Sequence, residues 1–174
     1  VALAVVWPRG QGPAVSTGFQ PYPAPDFSLT GHDGESISLS GFRGQAVAIL
    51  FGYTYCPDVC PLTLAKLAEA RAATGSAVQV LFVTVDPERD SAERLSQYLG
   101  ALDPDFLGLR GTVEEIRKVA EAYGVYFEGS TGDDSMFDHS ARTFLIDREG
   151  QVAESFLHDA SPDEISALLE VVAG

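Results

Sequence analysis

Two near-continuous apolar runs, Ala46 to Tyr53 and Val78 to Val85, constrain the fold of this chain more than any other feature. Strand-length runs without polar alternation suit central strands covered on both faces. Between them, at about 61 to 74, lies a helical stretch with Leu62, Ala65, Leu67 and Ala68 as its apolar positions. Strand, helix and strand at this length make a βαβ unit, and its crossover is expected to be right-handed.

The flanking sequence extends this unit in both directions. Upstream, strand-like alternation begins at Phe27, turns through His32-Asp33-Gly34 and resumes as Ser36-Ile37-Ser38-Leu39. Asp-Gly between short alternating runs signals a hairpin. Downstream, Asp90-Ser91-Ala92-Glu93 opens a second helix. A third opens with the capping box Thr112-Val113-Glu114-Glu115, with Val113, Ile116, Val119, Ala120 and Tyr123 on one face and Gly124 as its stop. Ala141 to Ile146 and Val152 to Phe156 flank Asp147-Arg148-Glu149-Gly150 and read as an antiparallel hairpin. Ser161-Pro162-Asp163-Glu164 opens the last helix, which buries Ile165, Leu168, Leu169 and Val172. A parallel βαβ half followed by an antiparallel ββα half predicts an α/β, thioredoxin-like fold with an N-terminal β-hairpin and an extra helix insertion.

The only two cysteines, Cys56 and Cys60, fall in the loop after the first core strand, where such a fold carries its active site. A chain of 174 residues with 45% hydrophobic content builds its own core, and a bridge between these two would close a very small loop. The pair is therefore chemical before it is structural. It can form a local disulfide, shuttle electrons or hold a soft metal. Pro57 and Pro61 disfavour helical backbone at the residues before them, so neither cysteine is expected in the helix body. Pro61 suits the first helical position, with Cys60 as the cap, and both thiols near the positive helix end are expected to have lowered pKa values.

Thioredoxin-type oxidoreductases set two residues between their cysteines, and here there are three. Those folds also place a cis-proline before the antiparallel core strand, whereas this chain has Phe137-Asp138-His139-Ser140-Ala141-Arg142. The topology thus sets His139 opposite the pair. Two thiolates and one imidazole make a soft three-point site; structural zinc wants four protein ligands, and copper fits best.

Other residues near these segments carry weaker signals. Asp86-Pro87-Glu88-Arg89-Asp90 follows a core strand and either serves the cysteine loop or forms a turn with Asp90 capping the next helix; capping preferences favour the turn. Asp138 either orients His139 or points away from it. Met136 reads as a loop or packing residue, His32 and His158 as surface residues, and Gly129, Gly132, Asp133 and Asp134 as a mobile acidic loop before His139. The net charge of −14 and pI near 4.4 argue against nucleic acid or an anionic membrane surface as partner. Val1 to Trp7 is too short to span a bilayer alone and reads either as the end of a membrane anchor or as a frayed or docked segment. Residues 8 to 25, with five prolines, read as a tether or irregular wrap. The expected division is an anchor remnant and tether over 1–24 and a folded domain over 25–174.

Gly52-Tyr53-Thr54-Tyr55-Cys56-Pro57-Asp58-Val59-Cys60-Pro61, then Val85-Asp86-Pro87-Glu88-Arg89-Asp90, then Asp138-His139-Ser140 resemble the three signature segments of the Sco/SenC family. The resemblance runs from about Pro25 to the C-terminus. It implies a membrane-tethered copper-binding protein that helps assemble the CuA centre of cytochrome c oxidase. It further implies Cys56, Cys60 and His139 as ligands of Cu(I) and, in many members, Cu(II). The implied partners are the CuA-bearing subunit II and an upstream copper donor protein. The implied setting is a monomeric soluble domain on the extracytoplasmic side, with Val1 to Trp7 as a helix remnant. The alternative function is a thiol–disulfide reductase in which Cys56 and Cys60 keep the acceptor's cysteines reduced.

Overall fold

The computed structural model describes residues 19–75, 77–128, 138–139 and 142–174, with Glu128, Asp138 and His139 described in backbone only. The segments expected to be an anchor and an acidic loop, together with Met136, lie outside the described residues.

The two apolar runs become adjacent parallel strands. β4 (Val47–Gly52) pairs with β5 (Gln79–Thr84) from Val47↔Gln79 to Gly52↔Thr84, joined by α1 (Val59–Thr74). Every residue of β4 is buried, as a strand covered on both faces requires. On its other edge β4 pairs antiparallel with β9 (Arg142–Ile146), which turns into β10 (Gln151–Leu157). The expected hairpin is β2 (Ser28–Gly31) with β3 (Ser36–Ser38). With β1 (Tyr22–Pro23) and β6 (Leu107–Arg110) the sheet reads β1-β10-β9-β4-β5-β6-β2-β3. The proline-rich stretch, read as containing no element, therefore ends as a two-residue edge strand.

Side-chain alternation along β4 divides the core. Val47, Ile49 and Phe51 face a cluster with Phe27, Leu29, Leu81, Val83, Ile116, Tyr123 and Phe144, roofed by α3 (Val113–Ala122) and the N-terminal hairpin. Ala48 and Leu50 face the opposite cluster, formed by α1, α2 (Ala92–Gly100) and α4 (Pro162–Ala173). The capping boxes at Thr112 and Ser161 form as expected, and the second helix is capped by the Ser91 side chain, which accepts from Arg94 N.

One strand has no forerunner in the sequence reading, and two local expectations need correction. Strand β6 is short and broken by Gly108, so its pattern is weak, yet it pairs with both β5 and β2 and joins the hairpin to the sheet. His32 is half-buried, and its Nδ1 accepts the Gly108 N–H at 2.9 Å, locking the hairpin turn to β6. The buried stripe of α1 is Cys60, Thr63, Leu64, Leu67 and Ala70, while Leu62 and Ala65 are exposed. Alanines and leucines occur all round this helix, and only its packing on α4 and the sheet selects the inner face.

Candidate metal centre

Parallel strands deliver their C-terminal ends to one edge, and the cysteine loop leaves β4 at that edge. Tyr53 is buried in the core beside Phe51, Thr54 is buried beneath the loop, and Tyr55 emerges with 51% exposure. Cys56 is half-buried, its N–H donating to Tyr53 O at 3.2 Å. α1 then begins at Val59, two residues before its expected start, after Asp58, whose side chain makes no capping bond. Cys60 is therefore inside the first helical turn and not at its cap. Pro61 falls at the third helical position, where a missing N–H forfeits no intrahelical bond.

This placement separates the two thiols chemically. Cys60 is fully buried, and burial pushes its thiol well above the usual range; a backbone hydrogen bond from Tyr53 opposes that, while Cys56 and Asp90 nearby add to it. The lowered pKa expected from the helix N-terminus is thus overturned for Cys60, because desolvation outweighs the helix end. The sulfurs nevertheless converge. The two are not disulfide-bonded, and the Cys60 N–H donates to Cys56 Sγ at 3.5 Å.

Gly52 makes this convergence possible. It continues the α1-facing side of β4, and a Cβ there would stand 2.8 Å from Cys60 Sγ and 2.8 Å from the Phe82 ring. Gly52→Ala is expected to cost about 1–3 kcal/mol through overpacking. The same change should displace the Cys60 sulfur, so thermal unfolding and thiol accessibility to a maleimide, measured together, will both respond. Unchanged Cys60 protection would mean that the Phe82 ring yields alone.

The backbone of His139 belongs to a two-stranded ribbon apart from the main sheet. β7 (Phe127–Glu128) and β8 (Asp138–His139) form a separate ribbon with Phe127 opposite His139. Phe127 packs on the core cluster that Cys56 also touches. The register of β9 sets Thr143 opposite Leu50 of β4. The His139 and Asp138 side chains lie outside what is described. Among the described residues no third His, Cys, Asp or Glu side chain joins the two sulfurs as a metal-holding group.

Residues around the loop went unrecognised as a unit in the sequence. Asp90 does not cap α2, since Ser91 does. Its fully buried carboxylate accepts from Thr54 N at 3.0 Å, Thr54 Oγ1 at 2.6 Å and Thr84 Oγ1 at 2.6 Å. Burial pushes the Asp90 carboxyl above the usual carboxylate range, and the threonine bonds pull it back. Arg94 Nε donates to Thr54 Oγ1 at 3.1 Å. The Arg94 and Arg89 guanidinium carbons stand 4.9 and 5.1 Å from the Tyr55 ring centroid, and Arg89 also pairs with Asp86. A Ser directly after Asp90 was the available signal, because one cap residue suffices and leaves the carboxylate for other work.

Comparison with known proteins identifies the family and the fold. The SCO1/SenC family model matches residues 16–174. The SCO2-like protein of Rickettsia felis is 36% identical over 152 residues, covering 83% of this chain and 74% of that one. The bovine mitochondrial protein SCO2 homolog is 38% identical over 149 residues, 81% of this chain and 56% of that one. The structure of Bradyrhizobium japonicum ScoI with copper bound superimposes with a TM-score of 0.77 at 35% identity, covering 87% of this chain and 99% of that one. With a thioredoxin-like sheet and its cysteine pair at the strand edge, this chain belongs to the SCO1/SenC family.

Proposed function

We propose that this chain carries copper as cargo on Cys56, Cys60 and His139 and delivers it to the CuA-bearing subunit II of cytochrome c oxidase. The observation that carries this is the approach of Cys56 and Cys60 after the end of β4, where the Cys60 N–H donates to Cys56 Sγ at 3.5 Å. A relative of the same fold, ScoI, has been solved with copper bound. The donor set fits the cargo, since thiolates select Cu(I) and imidazole serves Cu(I) and Cu(II) alike. Cu(I) is held by thiolates, so its binding displaces the thiol protons and uptake is pH-dependent. Handover then needs only successive exchange of thiolate ligands, without covalent catalysis. The half-buried Cys56, on the open side of the buried Cys60, is the sulfur a partner reaches first.

The same reading places the domain on the outer side of a membrane as a monomer, with a separate donor protein upstream. Kinship with a mitochondrial SCO2 homolog supports that setting. Among the described residues no helix is long and apolar enough to cross a membrane.

Anaerobic titration of the reduced protein with Cu(I) against a chromophoric chelator tests the proposal. One copper per chain, passing on to apo CuA domain, is the expected result. A protein that takes up no copper but reduces the disulfide of an oxidised CuA domain is a thiol–disulfide reductase, and the copper assignment then falls.

A further inference from the structure

We propose that Asp90 is the positioning residue of the cysteine loop, its carboxylate fixing Thr54 and thereby setting Cys56 against Cys60. Three segments meet at this one group. Thr54 follows the end of β4, Thr84 ends β5, and Asp90 itself precedes α2. The hydrogen bonds have fixed direction. Thr54 Oγ1 accepts from Arg94 Nε at 3.1 Å, which leaves its proton for Asp90 Oδ1 at 2.6 Å. Thr84 Oγ1 accepts from Asp86 N at 3.0 Å, which leaves its proton for Asp90 Oδ2 at 2.6 Å. The Thr54 N–H lies 3.0 Å from Oδ2 and 3.3 Å from Oδ1. Donors therefore approach both oxygens, so the surroundings demand a carboxylate. An amide would turn an N–H₂ group toward one of them.

Helix capping does not account for the burial of this group, because Ser91 already caps α2. Removing a carboxylate from water costs free energy that a plain turn would avoid. What the carboxylate secures lies on the loop. Thr54 is held to the sheet, the Cys56 N–H closes a turn onto Tyr53 O at 3.2 Å, and Cys56 Sγ then accepts the Cys60 N–H at 3.5 Å. That last bond stabilises the reduced sulfur. Loosening Thr54 weakens it, which lowers the reduction potential of the pair and widens the spread of sulfur positions offered to copper. The copper arm of the test rests on the function proposed above; the redox arm does not.

The experiment compares wild type, Asp90→Asn, Thr54→Val and Thr54→Ser. Three quantities are read: the Cys56–Cys60 potential in a thiol redox buffer, Cu(I) affinity by chelator competition, and thermal unfolding. Asp90→Asn and Thr54→Val are expected to weaken Cu(I) binding about 10–100-fold, the range for partners that orient metal ligands. They should also lower the potential by about 30 mV, a tenfold change in the equilibrium constant. Thr54→Ser keeps the hydroxyl and the N–H and should restore both values. Variants that unfold earlier yet keep wild-type potential and affinity would show that Asp90 holds only the fold and would overturn the proposal. A Thr54→Ser variant as impaired as Thr54→Val would overturn it too. If Asp90→Asn does not fold, the two Thr54 variants decide. If wild type binds no copper, the proposed function fails, while the potential series still decides the role of Asp90.

Discussion

Cys60→Ser is expected to remove tight Cu(I) binding, by roughly 1,000-fold or about 4 kcal/mol, and to destabilise the fold as well. The two losses have separate causes. A hydroxyl is a hard, weakly acidic group that does not replace thiolate toward Cu(I), so the remaining sulfur holds the ion without its paired anion. The folding loss comes from burial. Cys60 is fully buried, its sulfur pressed toward Gly52 and the Phe82 ring in a cluster with Leu50, Leu64 and Leu67. A serine hydroxyl there is costlier to take out of water than a thiol, and its shorter bond to Cβ sets it away from the partners the sulfur meets, at about 1–3 kcal/mol. Thermal unfolding should fall by about 2–4 °C for each kcal/mol in a chain of this size. Cys60→Ala separates the effects, because it leaves a small gap in place of a buried hydroxyl. It should lose copper equally and stability less. The half-buried Cys56 should show the reverse balance on substitution by serine, with copper lost at little cost to folding. Retention of wild-type affinity by Cys60→Ser would remove that sulfur from the site.

The framework of this fold is legible in the sequence where local pattern and tertiary demand agree. Two doubly covered strands announce themselves as unbroken apolar runs, and the capping boxes at Thr112 and Ser161 contain their own evidence within four residues. Legibility fails where packing alone decides. The α1 stripe is not legible because Leu62 and Leu64 are equally apolar and only the packing of the helix on α4 and the sheet distinguishes them. The thiol of Cys60 was expected to be acidified by the helix end, but its burial depends on the absent side chain at Gly52, a relation between two elements and not a property of either. Asp90 fails for a similar reason. Its partners Thr54 and Thr84 are distant in sequence from each other, and a carboxylate before a helix looks like a cap until Ser91 is seen to take that place. The identity of the two thiols, by contrast, needed no structure, because the chain holds no other cysteine.

His139→Ala carries the most information about mechanism, and its expected effect differs between the two copper oxidation states. The ribbon that holds position 139 is paired through backbone, Phe127 opposite His139 and Glu128 opposite Asp138, so truncation to alanine leaves that pairing available. Unfolding temperature should therefore stay near wild type, and changes in copper binding can be assigned to the imidazole. Two thiolates alone still hold Cu(I), so its affinity should fall by at least about tenfold, or 1.4 kcal/mol, without vanishing. Cu(II) favours nitrogen in its coordination, and the sulfur pair alone gives it no stable site. The thiolate-to-copper absorption of the Cu(II) form should disappear, with the thiols oxidising in its place. Such a variant would still load Cu(I) and pass it on, but would no longer retain copper through a change of oxidation state. That separates delivery from redox protection in one protein. If Cu(I) affinity and the Cu(II) spectrum both survive the substitution, His139 is not a ligand, and the cysteine pair acts on copper, or on an acceptor's disulfide, without it.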